Sequence, residues 1–252
     1  CPSEKYIHEI KLEDGSFTGR GWDSLVKYYK TSNLFCLGEI HGTEEVPMFF
    51  RHLLSQEKVD HYITELDSLT LSIVQRDLDH SDQVMLDFPG AFGMYAYKPE
   101  RYLLSDLVEH ETVLHGIDEI HPISVKLLLN ELKNNTALSK KSLKKLNYYI
   151  SIYKDAVSEG DVATINSRKT KKKVRKFLRM IYISELNSTN RIVEFILSNW
   201  KSFRMKDRGV SMRKRSIELL NEINPDSKSK VVFKFGGSHI AIPGNSAGYK
   251  DV

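Results

Sequence analysis

Two short segments near opposite ends of the chain share the pattern Gly-x-x-His, at residues 38–41 and 236–239. Each follows an apolar run typical of a buried strand, so we expect each glycine at the turn that leaves the strand and each histidine just beyond it. Ligands bind at the carboxyl ends of the strands in an open α/β sheet. The spacing therefore predicts that His41 and His239 lie in one site, where a histidine can exchange a proton near neutral pH.

Carboxylates accompany these histidines at the ends of the predicted strands. Glu39 lies inside the first motif, Glu65 ends the second strand and Asp118 ends the third. Carboxylates often follow strands simply because strands end at the surface, which is the interpretation we prefer for Asp67 and Glu119 and leave open for Asp118. Glu65 differs because apolar neighbours would desolvate it, and a buried carboxylate usually has a partner.

A helix is predicted directly after His41, with Thr43 as its N-cap residue. The N-terminus of a helix presents unpaired N–H groups, which favour anions and developing oxyanions. Arg51 lies further along the same helix. We therefore treat Arg51, together with Asp118, as a candidate for binding substrate.

Alternating apolar runs and helical patterns predict an α/β fold. Strands are expected at residues 33–37, 61–66, 112–117 and 230–235, and helices at 44–54, 69–78 and 99–108. This alternation favours βαβ units, so we expect a mostly parallel sheet with flanking helices in a single α/β domain spanning residues 1–252.

Residues 123–200 have apolar spacing typical of helices alone. The sequence predicts that they form a helical insertion before the last core strand, packed over one end of the sheet as a lid. Substrate specificity is expected to reside in this insertion and in the aromatic-rich loop at residues 88–97.

The composition indicates an ordinary globular protein. The chain has 252 residues, of which 40% are hydrophobic and 28% charged, and its net charge of +4 does not indicate a nucleic-acid partner. No apolar stretch approaches the ~20 residues that a membrane helix needs. Much of the positive charge lies at residues 168–176, opposite an apolar helical stripe. We interpret this run as a solvated face, with a membrane-facing or ligand-steering role as the alternative.

The two cysteines, Cys1 and Cys36, do not indicate a disulfide framework. Cys36 lies in the first predicted strand and is expected to behave as a small buried hydrophobe. A sequence that begins with Cys1 resembles mature bacterial lipoproteins, whose first cysteine is lipidated after the signal peptide is removed; an arbitrary boundary is the equal alternative. The lipoprotein interpretation predicts a membrane tether at Cys1 and a location in the bacterial cell envelope.

Five motifs in order along the chain resemble the superfamily that joins erythromycin esterases, ChaN-type haem-uptake lipoproteins and Tiki/TraB-type proteins. They are Gly-Glu-x-His-Gly-Thr-x-Glu beginning at Gly38, the strand ending in Glu65, Gly-x-Asp at 116–118, Arg-x-x-x-Met at 208–212, and the closing Gly-x-x-His. The Gly-Glu-x-His spacing is closer to the ChaN-like proteins, whereas the His-Gly-Thr-x-Glu that overlaps it is closer to the esterases. The resemblance therefore leaves the branch open.

Resemblance to the esterases implies hydrolysis of an ester, or of an amide, without a serine or cysteine nucleophile. His41 would be the general base that takes a proton from water, with Glu65 or Glu39 tuning its basicity. His239 and Arg208 would bind the oxygen that becomes negative. Resemblance to the Tiki branch implies a divalent metal ion held by His41, His239 and one or both of the glutamates.

Resemblance to the ChaN-type proteins implies a different function, the binding of haem for iron uptake. Haem iron can be held by histidine or tyrosine, but none of the 12 tyrosines lies in a motif from which a ligand can be carried over. The leading hypothesis is therefore a hydrolase acting on a small-molecule or peptide substrate, with a haem-binding lipoprotein as the alternative.

Overall fold

A four-stranded parallel sheet flanked by helices forms the centre of the fold in the computed structural model of the chain. The structure describes residues 8–78, 87–88, 90–121, 123–158, 167–199, 208–223 and 228–237. This architecture confirms the predicted α/β class.

The strands of the main sheet and the helices between them lie close to the predicted ranges, whereas the two strands and the helix that precede residue 32 were not predicted. The strands are β1 (Lys11–Glu13), β2 (Ser16–Thr18), β3 (Leu34–Glu39), β4 (His61–Thr64), β5 (Val113–Gly116) and β6 (Val231–Gly236). The helices are α1 (Arg20–Thr31), α2 (Glu45–Leu54), α3 (Ser68–Asp77), α4 (Lys98–Glu109), α5 (Ser124–Asn135), α6 (Lys140–Ser158), α7 (Arg168–Ser184), α8 (Arg191–Ser198) and α9 (Arg208–Ile223). A short 3-10 helix, Gly93–Ala96, precedes α4.

The last strand in the described ranges, β6, lies between β3 and β4 and runs parallel to both, in the strand order β3-β6-β4-β5. In this register Glu39 of β3 is level with Gly236 of β6, and Thr64 of β4 is level with Lys234. The carboxyl ends of these three strands are therefore aligned at one edge of the sheet, where α/β proteins bind ligands.

The two strands that precede the Gly-x-x-His motifs differ in burial. All six residues of β6 are buried, because β6 has a partner strand on each side. Along β3, exposed and half-buried residues alternate, so in the described part of the chain one face of this edge strand is open to solvent. Leu34 is 48% exposed and Cys36 is exposed as well. The prediction of a buried first strand with Cys36 as a buried hydrophobe is therefore wrong.

The chain divides into two compact units, each built from separate segments. The first comprises Cys1–Glu65, Tyr97–His115 and Arg213–Val252, and it holds β3, β4 and β6 with α1, α2 and α4. The second comprises Leu66–Ala96 and Gly116–Met212 and holds α3 and α5 to α8. The single α/β domain stays a prediction.

Between residues 123 and 200, the described residues form the helices α5 to α8 and no strand. Helices α6 and α7 pack antiparallel. The rings of Tyr149 and Phe177, in the middle of the two helices, are 5.3 Å apart. Near the start of α6, the Ser142 hydroxyl donates at 2.5 Å to Glu185, which directly follows α7. None of the helices in the described ranges has the length and apolar character needed to cross a membrane. The lid stays a prediction.

Candidate active site

Residues at the carboxyl ends of three parallel strands meet in the first unit. Glu39 is the last residue of β3, and His41 follows it by two positions. Glu65 directly follows β4, and Gly236 is the last residue of β6. The structure thus brings together His41, Glu39 and Glu65, which are three of the residues that the sequence predicts at strand ends.

The His41 imidazole is fixed by one carboxylate and approached by a second. Its Nδ1 lies 3.0 Å from Glu39 Oε1, and its Nε2 lies 3.7 Å from Glu65 Oε2, beyond hydrogen-bond distance. The side chain of His41 is 47% exposed, whereas those of Glu39 and Glu65 are 1% and 2% exposed. An ionised carboxylate can only accept, so Nδ1 carries a proton and the neutral ring presents the lone pair of Nε2.

Gly236 allows the imidazole to lie directly against β6. A Cβ atom at this position would be 2.9 Å from His41 Nε2 and 3.4 Å from Glu65 Oε2. The Gly236 N–H also donates to Glu65 Oε2 at 2.8 Å. Gly38 lies within β3 and Gly236 is the last residue of β6, so both motif glycines belong to strands rather than to the turns where we expected them. The second glycine is needed for close approach, not for a turn.

A lysine with no exposed surface lies behind Glu39. Lys234 Nζ forms an ion pair with Glu39 Oε2 and donates to Glu100 Oε1 at 2.7 Å. The side chains of the three residues are between 0% and 4% exposed. A buried ammonium requires compensation by partners of opposite charge, and here two carboxylates supply it. Glu39 is therefore held on one oxygen by His41 and on the other by Lys234.

The two carboxylates that share Lys234 differ in how readily they bind a proton. Burial acts to raise the pKa of Glu39, but the hydrogen bond from His41 and the charge of Lys234 outweigh it, so this pKa lies below its ordinary value. Burial raises the pKa of Glu100 despite the opposing charge of Lys234. Glu100 Oε2 is buried and has no hydrogen-bond partner in the described ranges. Glu39 is therefore the carboxylate held in the ionised form.

The hydrogen bond to Glu39 is the main cause of a raised pKa at His41. Partial burial opposes this effect, and the negative charges of Glu65 and Glu39 add to it. His41 is thus a stronger base than a histidine in water, and a higher pH is required to deprotonate it.

Lys234 and Glu100 are functional candidates that the sequence analysis missed, although the apolar pattern around each residue indicates that it is buried. Lys234 is the one charged residue within β6, and a charge in a strand that is otherwise apolar requires a buried partner. Glu100 occupies the apolar stripe of α4, which continues with Leu103, Leu104 and Leu107. A charge in an apolar strand and a charge on an apolar helical stripe together indicate a buried ion pair.

The loop that contains His41 does not cap the following helix in the way the sequence predicts. Helix α2 begins at Glu45, its N-cap position is Glu44, and no side chain caps it. The Thr43 hydroxyl donates instead to the carbonyl of Ile40 at 3.1 Å. Thr43 as N-cap is therefore wrong, because its hydroxyl is used to close the turn around His41.

Arg51 lies in the last turn of α2, paired with Asp106 of α4. Arg51 Nε and Nη2 donate to the Asp106 carboxylate at 2.5 and 3.1 Å, and the guanidinium lies 5.5 Å from the centre of the Tyr102 ring. These contacts link α2 to α4. The predicted contact of Arg51 with substrate stays a prediction.

Arg208 and Asp118 form a two-point ion pair within the second unit. Arg208 Nε and Nη2 donate to the two oxygens of Asp118 at 2.8 and 2.6 Å. Asp67 of the same unit caps α3 by accepting from the backbone N–H of Thr70 at 2.9 Å, which agrees with our preferred interpretation of that residue. The predicted role of Arg208 toward an oxyanion and that of Asp118 toward substrate stay predictions.

His239 lies outside the described residues, so its predicted pairing with His41 stays a prediction.

The described carboxylates do not fit a divalent metal ion. No group of three or more histidine, cysteine, aspartate or glutamate side chains in the described ranges is arranged to hold one. A cation bound to Glu39 would also have to displace the Lys234 ammonium from one oxygen or the His41 N–H from the other.

No protein-family model and no curated protein matches the chain. Two solved structures are similar to it at low sequence identity. A mutant of the erythromycin esterase EreC in its open conformation is 14% identical, with a TM-score of 0.49 over 89% of this chain and 65% of that one. A Bacillus cereus protein is 14% identical, with a TM-score of 0.44 over 86% of this chain and 60% of that one. The present chain thus spans less than two thirds of the length of either protein.

Proposed function

We propose that this chain is a hydrolase that cleaves an ester or amide bond with a water molecule activated by His41. The main support for the proposal is the arrangement of contacts around the His41 imidazole. Nδ1 is hydrogen-bonded to the buried Glu39 carboxylate, while Nε2 faces the aligned carboxyl ends of the strands. In the described part of the chain, Nε2 makes no hydrogen bond. A positioned base with one nitrogen engaged and the other available is the arrangement that general-base catalysis requires.

In the proposed reaction, Nε2 takes a proton from water while the water oxygen attacks the carbonyl carbon of the substrate. The ring then carries a positive charge, which the Glu39 carboxylate stabilises across a contact of 3.0 Å. Glu65 Oε2, 3.7 Å from Nε2, adds a second negative charge beside the ring. The proton held on Nε2 is then donated to the leaving group as the tetrahedral intermediate collapses.

Water is the proposed nucleophile because the only hydrogen bond of His41 in the described part of the chain is to a carboxylate. A serine or cysteine nucleophile would be expected within hydrogen-bond distance of its base. The resemblance of the sequence motifs to the erythromycin esterases supports the same assignment and favours an ester over an amide. A small-molecule ester is therefore the first substrate class to test.

The test compares wild-type protein with His41→Ala on a panel of p-nitrophenyl esters and p-nitroanilides. We expect hydrolysis by the wild type and a fall in kcat of ~10²–10⁴ in the variant, the usual cost of losing a general base. His110→Ala, at an exposed histidine after α4, is the matched control and is expected to retain activity. Treatment with a chelator tests the metal-dependent variant separately, because the predicted ligand His239 lies outside the described residues.

Two results would overturn the proposal. One is full activity in His41→Ala, which would show that another group activates the nucleophile. The other is the absence of hydrolysis across the whole panel. A Soret band on mixing with haem, combined with that absence, would favour the haem-binding alternative.

A further inference from the structure

The antiparallel helices α6 and α7 of the second unit concentrate positive charge. Their residues, Lys140–Ser158 and Arg168–Ser184, include thirteen lysines and arginines and one acidic residue, an aspartate. The whole chain carries a net charge of only +4, so the remainder of the sequence is net acidic. The charge is therefore a local property of these two helices.

On α7 the cations lie opposite the buried side. The buried residues are Val174, Phe177, Leu178 and Ile181. Lys172, Lys176 and Arg179 are exposed and follow one another at helical intervals, so they form one row on the opposite side. None of these three cations forms an ion pair with a described residue. No carboxylate in the described ranges therefore neutralises their charge.

Large apolar side chains are exposed within this charged surface. Ile183, 72% exposed, continues the row one turn after Arg179. On α6, Tyr148 is 58% exposed and lies one turn after the exposed Lys144. We call Lys144, Tyr148, Lys172, Lys176, Arg179 and Ile183 the basic face.

We propose that the basic face docks on a membrane surface that contains anionic lipids. Lysines and arginines are attracted to anionic headgroups, while exposed aliphatic and aromatic side chains among them enter the boundary between headgroups and acyl chains. The apolar sides of α6 and α7 are already buried in the protein. The interaction is therefore docking of the folded unit through charge, with shallow insertion of Ile183 and Tyr148, and not insertion of a whole helix.

An anionic membrane fits these side chains better than a nucleic acid does. Both partners would attract the cations, but a phosphodiester backbone offers no apolar layer for an isoleucine that is 72% exposed. The proposal is independent of the hydrolase proposal, because it rests on residues of α6 and α7 alone.

The first experiment measures sedimentation of the full chain with vesicles. We expect binding to vesicles of phosphatidylcholine and phosphatidylserine and little binding to phosphatidylcholine alone. The variant Lys172→Gln/Lys176→Gln/Arg179→Gln is expected to lose roughly a hundredfold in partitioning, since each cation near an anionic surface contributes about a fivefold factor. The control Lys11→Gln/Lys27→Gln/Lys30→Gln removes the same charge from exposed lysines of β1 and α1 and is expected to bind like the wild type.

The second experiment tests insertion. In the variant Ile183→Trp, the added tryptophan is expected to emit at shorter wavelength when anionic vesicles are present, relative to wild-type protein with its two tryptophans. Equal binding to neutral and anionic vesicles would overturn the proposal, as would an equal loss in the control variant. Binding to duplex DNA or RNA that depends on the same three cations, with no vesicle binding, would overturn it in favour of a nucleic acid.

Discussion

Lys234 and Glu39 form an ion pair from which water is excluded, and Glu39 is at the same time the hydrogen-bond partner of His41. The charge of a fully buried lysine thus acts on an imidazole that is 47% exposed, with one carboxylate between them. The pKa of the exposed His41 base is consequently influenced by buried residues that a ligand cannot contact.

Replacement of Glu39 by glutamine is expected to lower the pKa of His41, because the hydrogen bond to the carboxylate is the main cause of the raised value. The base works in its neutral form, so the acidic limb of the pH–rate profile should move to lower pH while kcat falls. Titration of the His41 ring by NMR gives the pKa directly. Glu109→Gln, at an exposed carboxylate of α4, is the control; equal profiles for Glu39→Gln and wild type would contradict the assignment.

Lys234→Met is expected to destabilise the fold by about 3–5 kcal/mol, because it leaves the buried carboxylates of Glu39 and Glu100 without a cation. Adding Glu100→Gln should recover part of the loss, since the glutamine carries no charge. Urea unfolding of both variants and the double variant measures the coupling. Lys214→Met, at a side chain that is 76% exposed, should cost less than about 0.5 kcal/mol. Additive effects of the two buried substitutions would argue against the ion pair.

Gly236→Ala is expected to impair activity with little effect on the fold. The new Cβ would lie 2.9 Å from His41 Nε2, and the imidazole is the group that can move. We expect kcat to fall at least about tenfold, since a displacement of about 1 Å at a reacting group can cost 10²-fold. Gly237→Ala is the matched control, because its nearest neighbour would be 3.5 Å away. Equal kcat values for the two variants would show that close approach is not required.

A histidine pair between β4 and β5 is expected to make stability depend on pH. His61 Nδ1 and His115 Nε2 are 3.0 Å apart, and burial, followed by the charge of His61, lowers the pKa of His115 to about 4. The unfolded chain binds this proton near pH ~6.5, so as pH falls from there toward 4 the unfolded state gains protons first and the free energy of unfolding decreases.

Urea unfolding across that pH range checks this expectation. His115→Gln, which cannot titrate, should flatten the dependence between pH ~6.5 and 4. His110→Gln, at an exposed histidine, should leave it in place. An unchanged dependence in His115→Gln would mean that other groups are responsible.

Local patterns in the sequence were sufficient to locate the four strands of the parallel sheet and the ionisable residues at their ends, but not the short strands β1 and β2. His41, Glu39 and Glu65 follow apolar runs, and parallel strands bring such positions to one edge whatever their order in the sheet. The order itself was not predictable from periodicity. Contacts of β6 with β3 and β4 join residues far apart in the chain, and hydrophobic spacing reports only neighbours along an element.

Two errors follow directly from that missing information. The apolar runs before His41 and His239 look alike, yet β3 is an edge strand with Leu34 half exposed, whereas β6 is buried along its full length. The role of Gly236 also depends on a neighbour, because only the approach of the His41 ring shows why a side chain is excluded there. The exposure of β3 and the role of Gly236 each depend on contacts between two elements, which the pattern within one element does not show.

The central position of β6 has a consequence for synthesis of the chain. While a ribosome is making the protein, β3 and β4 emerge long before residues 231–236, so the edges that face β6 have no partner until those residues have been translated. Unpaired strand edges invite association with other chains. The nascent polypeptide is therefore expected to depend on chaperones until β6 has been translated and can pair with β3 and β4.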